Sequence, residues 1–350
     1  MTFTTNKIFI KNQIFTKNTS CKNSAFSEFY FLNYFSKIND TLRVPELLKF
    51  DNTKNQIHLK YIHGIPLITF IRHLQNKNFK HKNTDKIVNM LLLQSIKYVA
   101  YFHNITKKLH NSNDFYIENY NYKENLFSAL QVLDKFSKLN LSDYNVQNCI
   151  TSIFSNLESS CNVLYRDAGL YNILICIPEN FSVEKWINDI FSNNDFENLK
   201  FKIVSQLYNL DFAESYKLIC AEDDYSFIIE SSVSQKFRIQ LLEMINPLLR
   251  YDVYLFAAIF RNLRIAARHL IYLFENQDIY YTRYSNYGSL VEESPVYYLH
   301  SAYNRTKELS LLCPDFNNLL DYIFLLIESL TDKIEKELMI IINKNINSNG

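Results

Sequence analysis

Glycine is the first scarcity. The 350 residues contain four, Gly64, Gly169, Gly288 and Gly350, none near another. A Walker P-loop, a G-x-G-x-x-G dinucleotide turn and a G-x-S-x-G nucleophile elbow all require clustered glycines, so each is excluded. No H-E-x-x-H pair of metal-ligating histidines occurs. The six cysteines (Cys21, Cys149, Cys161, Cys176, Cys220 and Cys313) include no C-x-x-C pair. Their spacing reads neither as a disulfide framework nor as a zinc site, and they fit reduced core thiols of an intracellular protein. Long apolar runs are missing too. "VYLFAAIF" and "YIFLLIE" fall short of the ~20 residues that span a bilayer, so no membrane association is expected. The start, "MTFTTNKIFIKNQIF", lacks the charged-then-apolar pattern of a signal peptide, which makes cytoplasmic localisation the expectation. Charge of one sign is also lacking: 37 Lys and Arg balance 36 Asp and Glu. Without a basic block, nucleic acid is not an expected partner.

What remains is an ordinary globular composition, 47% hydrophobic and 21% charged, long enough for one large domain or two lobes. Residues 7–16 read as strand material. "SAFSEFYFLNYFSKI" then carries a helical stripe at Phe26, Phe29, Tyr30, Leu32 and Phe35. "NQIHLKYIHG" alternates like a strand and stops at Gly64. "IVNMLLLQSIKYVAYFHNIT" is apolar on most faces, as a buried helix is. Residues 124–158 continue helical, and helical patterning returns after about residue 234.

One strand–turn–strand interrupts the helices. In "NVLYRDAGLYNILI" (162–175) an apolar strand runs into a turn with Arg166 and Asp167, and Asn172 follows before apolar residues resume. A second apolar run, "KIVSQLYNLDFAES", ends on Asp211. If the turn is tight, Asp167 and Asn172 face one cleft. Asp167 can then accept a proton from a hydroxyl, while the Asn172 oxygen and the Asp211 carboxylate offer hard ligands suited to Mg²⁺. Those are the parts of a phosphoryl-transfer site, where positioning and charge neutralisation supply most of the rate. The competing reading makes Asp167 and Asn172 turn formers bonded to their own backbone.

"LYRDAGLYNILI" followed by "LDFAES" resembles the catalytic loop and metal-binding motif of the aminoglycoside phosphotransferase and choline kinase group, the small-molecule branch of the protein-kinase-like fold. "IFIK", "SAFSEFYFLNYF", "VPELL", "LKYIHGIPL" and "VAYFHNIT" are similar, in order, to the group's lysine strand, following helix, lead-in, hinge and pre-loop helix. "FRNLRIAARHLIYLF" and the "YYLHSAYNRTKELSLLCPDFNNLLDYI" stretch resemble the helical tail of a bacterial subgroup that includes amino-sugar kinases.

The resemblance implies an α+β, protein-kinase-like bilobal fold, with a small, shortened β-rich N-lobe (1–63) and a large mainly helical C-lobe (64–340). The C-lobe would hold the catalytic loop (162–175), an insert (177–199) and the metal-binding motif (208–215). It implies an ATP- and Mg²⁺-dependent phosphotransferase acting on a hydroxyl of a sugar, amino sugar or amino alcohol. Asp167 would be the catalytic base, with Arg166 near the developing charge or bracing the loop. Asn172 and Asp211 would hold Mg²⁺. Lys11 would contact the phosphates, aimed by Glu28, and the backbone of Lys60, Tyr61, Ile62 and His63 would receive adenine.

Three departures stand out. Tyr165 replaces a usual histidine. Only ten residues precede Lys11, too few for two strands, so either the phosphate-covering flap is missing or Lys17 takes the lysine role. The insert is long, holds Trp186 and several carboxylates, and reads either as an acidic lid or as a solvated excursion. The alternative function is a non-catalytic, pseudokinase-like scaffold with a protein partner. Arg261, Arg264 and Arg268 share one helical face, open to an anionic group or to carboxylates within the lobe.

Overall fold

The computed structural model describes residues 7–19, 22–38, 42–76, 79, 81–109, 121–140, 146–147, 150–151, 162–165, 167–192, 195–211, 215–218, 221–245, 250–284 and 294–348. The chain begins there with strand material over 7–16, as expected, folded as a hairpin of β1 (Lys7–Lys11) and β2 (Ile14–Asn18), the arrangement in which Lys7–Lys11 is the earlier strand. The reason is local: Asn12 and Gln13 adopt φ of 52° and 60°, the left-handed pair that lets a two-residue turn follow strand twist. Lacking a glycine here, the chain steadies the turn by a 2.8 Å bond from the Tyr61 N–H to the Gln13 carbonyl.

After α1 (Lys22–Ile38) come β3 (Leu47–Asp51) and β4 (Gln56–Lys60), completing an antiparallel sheet ordered β1-β2-β4-β3. The helix lies against it through aromatic contacts, the Phe29 ring stacking on Phe50 at 4.5 Å. Its buried stripe of Phe31, Leu32 and Phe35 turns the other way, toward the helical part of the molecule.

The chain crosses at β5 (Gly64–Pro66), which pairs with a later strand. A Cβ on Gly64 would lie 2.3 Å from the Ile175 carbonyl oxygen, so only glycine allows the two backbones to approach this closely. Three helices follow, α2 (Leu67–Gln75), α3 (Thr84–Leu109) and α4 (Tyr122–Ser137). Phe102 of α3 receives Phe31 and Phe35 at ring distances of 5.2 and 5.6 Å, anchoring α1 to the helical lobe. Most of the expected continuation of α4 toward residue 158 lies outside the described residues.

Next come β6 (Asn162–Tyr165) and β7 (Ile173–Cys176). The insert then folds as two helices, α5 (Val183–Phe191) and α6 (Phe196–Val204), capped by Ser182 and Asp195. Its apolar face is packed rather than solvated: Trp186, Ile187, Leu199 and Ile203 are buried, and Trp186 meets Phe70 at 5.7 Å. The insert carboxylates Glu184, Asp189, Asp195 and Glu197 face solvent.

β8 (Leu207–Asn209) closes a three-stranded sheet ordered β5-β7-β8, and β9 (Ser215–Leu218) pairs with β6. The described remainder is mainly helical: α7 (Glu222–Ile229), α8 (Arg238–Ile245), α9 (Tyr251–Glu275), α10 (Gln277–Tyr284), α11 (Pro295–Leu312) and α12 (Asn317–Ser348). Apolar on nearly every side, α9 is the central helix, covered by α4, α7 and α11. Glu230, fully buried just after α7, ties this bundle together. Its carboxylate accepts from Arg238 at 3.1 Å, Tyr254 at 2.5 Å and Ser301 at 3.2 Å, and Arg305 Nε lies 3.2 Å away as a second ion pair. Although burial favours its protonated form, Arg305 and Arg238 overcome this and hold the carboxyl below its ordinary range.

Among the described residues no helix is long and apolar enough to cross a membrane.

Candidate active site

Strand β2, helix α1 and the segment after β8 bring three charged side chains together. Lys17 Nζ lies 2.8 Å from Glu28 Oε2 and 2.5 Å from Asp211 Oδ1. Of the two lysines considered, it is Lys17 rather than Lys11 that pairs with Glu28. Lys11 ends β1 opposite Ile14 and is exposed, whereas Lys17 lies mid-strand on the buried side of the sheet. The six-residue offset follows from the hairpin, which makes β2 the strand beside α1.

Burial opposes the Lys17 charge, but the Glu28 and Asp211 carboxylates overcome it and hold the ammonium well above its ordinary value. Glu28 behaves differently. Its complete burial pushes the carboxyl up to about 7, and the pull of Lys17 only partly offsets this because Lys17 also serves Asp211. With two carboxylates sharing one ammonium, the more deeply buried takes the proton more readily.

Asp211 has φ of 59°, an uncommon backbone conformation outside glycine that Asp tolerates better than most. It follows Leu210, whose N–H donates to the Asn172 carbonyl at 2.8 Å. The segment that carries Asp211 is therefore stitched directly to the 167–172 loop.

That loop is tight. A single turn of 3₁₀ helix at Leu170–Asn172 is closed by the Asn172 N–H on the Gly169 carbonyl at 2.9 Å. Ala168 and Leu170 are buried and anchor it. The Asn172 side-chain amide donates to the Asp167 carbonyl at 2.8 Å, which leaves Oδ1 as the atom able to face a cation. The turn-former description thus applies to half of the Asn172 amide and leaves the other half available.

Asp167 carries a partner that sequence reading missed: the Tyr171 hydroxyl donates to Asp167 Oδ1. Desolvation of the hydroxyl first, and the Asp167 charge second, push that phenol well above its ordinary value although the residue itself is exposed, so it stays protonated. The i+4 spacing across a short turn was the available signal, and Gly169 makes the contact possible, since a Cβ there would lie 2.3 Å from the Tyr171 ring. Arg166 lies outside the described residues.

The hinge segment is partly committed to the chain's own backbone. The Lys60 N–H donates to Glu46 O at 2.9 Å, the Tyr61 N–H to Gln13 O at 2.8 Å, and the His63 carbonyl accepts from Ile177 at 2.9 Å. Among the described residues no backbone group takes the Ile62 N–H or carbonyl, so Ile62 is the hinge residue best able to receive a base edge. The Lys60 side chain points to solvent beside Glu46.

Behind the loop, His103 Nε2 lies 2.8 Å from Asp224 Oδ2, and burial pushes the ring down to about 3, keeping it neutral. On α9, Arg261 and Arg264 are 3% and 2% exposed. The Arg261 guanidinium lies over the rings of Phe227 at 5.0 Å and Tyr298 at 5.9 Å, and Arg264 lies over Phe227 at 5.4 Å and Phe260 at 5.8 Å. Neither forms an ion pair among the described residues. Ring stacking contributes about 2 kcal/mol to a desolvated cation, whereas burying a charge costs several kcal/mol. The stacking offsets only part of that cost.

Does the donor set fit a divalent cation? Among the described residues no three His, Cys, Asp or Glu side chains converge, so a closed protein cage is absent from them. Asn172 Oδ1 and the Asp211 carboxylate are a hard-oxygen pair joined through one backbone bond. This suits Mg²⁺, which keeps water and is completed by substrate phosphates.

The fold is that of the protein-kinase-like class: α+β and bilobal, with a small antiparallel sheet and a mainly helical second lobe. In three dimensions the chain is similar to a choline/ethanolamine kinase family protein from Mesorhizobium loti, with a TM-score of 0.50 and 12% identity over 91% of this chain and 89% of that one. It also aligns with choline kinase LicA from Streptococcus pneumoniae, with a TM-score of 0.46 and 12% identity over 87% of this chain and 89% of that one. No protein-family model matches the chain, and no curated protein matches its sequence. The resemblance to the choline kinase group read from the sequence is thus matched at the level of the fold.

Proposed function

We propose that this chain is an ATP- and Mg²⁺-dependent phosphotransferase that moves a γ-phosphate to a hydroxyl of a small molecule. The observation that carries the reading is Lys17 held between Glu28 and Asp211. A buried ammonium shared by a helix carboxylate and a strand-end carboxylate links a phosphate-binding cation to a metal-binding anion. The fold shared with the Mesorhizobium loti protein supports the same class of chemistry.

In this reading Lys17 binds the α/β-phosphates, oriented by Glu28. Asn172 Oδ1 and Asp211 hold Mg²⁺, which when bound supplies neutralisation of phosphate charge. The Ile62 backbone receives the adenine edge. Asp167 takes the proton of the acceptor hydroxyl, and to do so exchanges its bond from Tyr171 for one from the acceptor. Tyr171 holds the carboxylate in place until then. The acceptor is small and approaches from the helical lobe, where α9 and α11 lie.

The test is calorimetric titration with a non-hydrolysable ATP analogue, with and without Mg²⁺, on the wild type and Asp211→Asn. Magnesium-dependent binding that the variant loses by tenfold or more supports the reading. A well-folded wild type that binds no nucleotide refutes it and leaves a non-catalytic scaffold of the same fold.

A further inference from the structure

The short turn after β6 lays a hydroxyl of the chain itself on the carboxylate that the phosphotransferase reading makes the base. Tyr171 donates to Asp167 Oδ1. Backbone and side chain behave differently in this contact. The backbone is fixed: Ala168 and Leu170 are buried, the Asn172 N–H closes the turn on the Gly169 carbonyl at 2.9 Å, and the Asn172 side chain donates to the Asp167 carbonyl at 2.8 Å. Tyr171, in contrast, is 36% exposed, so its side chain can swing outward without unpacking the core.

The missing Cβ of Gly169 makes the seat for the ring. A Cβ there would lie 2.3 Å from Tyr171 Cε1, 2.7 Å from Cζ and 2.9 Å from Cδ1, and those are its three nearest atoms. The Gly169 backbone itself, at φ of −64° and ψ of 150°, is one that alanine adopts without strain. Glycine is thus needed here for the space that the Tyr171 ring fills, not for its backbone freedom.

A phenol on a carboxylate does what an acceptor hydroxyl would do there. It satisfies Oδ1 and keeps out water, whose attack on the γ-phosphate is the side reaction a phosphotransferase must suppress. Water offers Oδ1 one bond like the bond it would replace, so it gains little by displacing the tyrosine. An organic acceptor makes further contacts, and their binding energy offsets the broken bond.

We propose that Tyr171 is a positioning residue that caps Asp167 against water, so that only a bound acceptor releases the base and ATP is not hydrolysed without one. The proposal rests on the phosphotransferase reading, in which Asp167 is the base. The suppressed step is hydrolysis: a water oxygen bonds to the γ-phosphorus, the bond from that phosphorus to the β,γ-bridging oxygen breaks, ADP leaves, and the water's proton passes to Asp167.

Phosphate release from Mg²⁺-ATP by the full chain, with no acceptor added, tests this. Tyr171→Phe keeps the ring and removes the donor, whereas Gly169→Ala keeps the donor and pushes the ring aside. Each should hydrolyse ATP at least about tenfold faster than the wild type, the factor carried by a hydrogen bond to a charged group. Adding Asp167→Asn to either should return the rate to the wild-type level or below. A gain in rate separates a cap from a structural prop, since damage to the loop lowers the rate. If one of the two variants fails to fold, the other carries the test. Unchanged or slower hydrolysis in a folded variant overturns the proposal, as does a faster rate that survives Asp167→Asn. Phosphate from γ-labelled ATP found on wild-type Tyr171 also overturns it, because the hydroxyl would then be an acceptor rather than a cap. Titration with the non-hydrolysable analogue separates the cap from the reading it rests on. Nucleotide binding without any gain in the variants removes the cap alone, whereas a folded wild type that binds no nucleotide removes the phosphotransferase reading and the cap with it.

Discussion

Glu28 offers the sharpest physical test, because its carboxyl is buried, 2% exposed, and held at about 7 by that burial. In the unfolded chain the same group titrates near 4.5. A carboxyl whose folded value is raised binds its proton more tightly in the native state. It therefore adds stability below the unfolded value and loses it as pH rises through the folded one. The full span of that shift corresponds to about 3 kcal/mol, at roughly 1.4 kcal/mol for each pH unit. Between pH 5.5 and 8.5 the loss is about 2 kcal/mol, since part of the shift lies below the lower pH. Glu28→Gln keeps the shape and removes the titration. Urea unfolding of metal-free, nucleotide-free protein at the two pH values, compared between wild type and variant, cancels the contributions of every other group. The wild type should lose about 2 kcal/mol more than Glu28→Gln on going to the higher pH. Equal losses, or a wild type that gains relative to the variant, would refute the account of two carboxylates sharing Lys17.

Two further substitutions probe the frame. Glu230→Ala leaves Arg238 and Arg305 buried without their shared acceptor, so it should cost about 3–5 kcal/mol in denaturant unfolding; a loss under about 1 kcal/mol would show that water serves them instead. Gly64→Ala forces a methyl against the Ile175 carbonyl and should cost about 1–3 kcal/mol or more by thermal unfolding, whereas an unchanged melting temperature would mean that β5 and β7 can separate freely.

The parts of this molecule that the sequence announces are those governed by local pattern. The helical stripe of α1, the buried run of α3 and the helical tail each display a period that survives into three dimensions, and the fold class follows from their order. That the turn of Asp167 and Asn172 would be tight was legible from its place between two apolar strands, and the Leu210–Asn172 backbone bond brings Asp211 to it. Lys17 was not separable from Lys11 in the sequence. Which lysine meets Glu28 depends on a turn at Asn12–Gln13 that has no glycine to announce it. The insert misled for a related reason. Its polar residues dominate the linear composition, while Trp186, Ile187, Ile190, Leu199 and Ile203 emerge as a buried face only once two capped helices are laid against α2 and α3.

The arginines of α9 show the opposite limit. Their spacing was plain, and pairing with nearby carboxylates was the natural expectation for a protein with almost equal numbers of acids and bases. The structure distributes those charges unevenly. Glu230 takes two arginines, Lys17 takes two carboxylates, and Arg261 and Arg264 are left with aromatic rings. The rings of Phe227, Phe260 and Tyr298, with the Asn262 side chain and the Phe227 carbonyl, take the place that carboxylates hold around Arg238 and Arg305. A one-dimensional pattern shows which residues share a helical face, but not whether an acid or a ring is laid against it, because that depends on the register of α7 and α11 against α9.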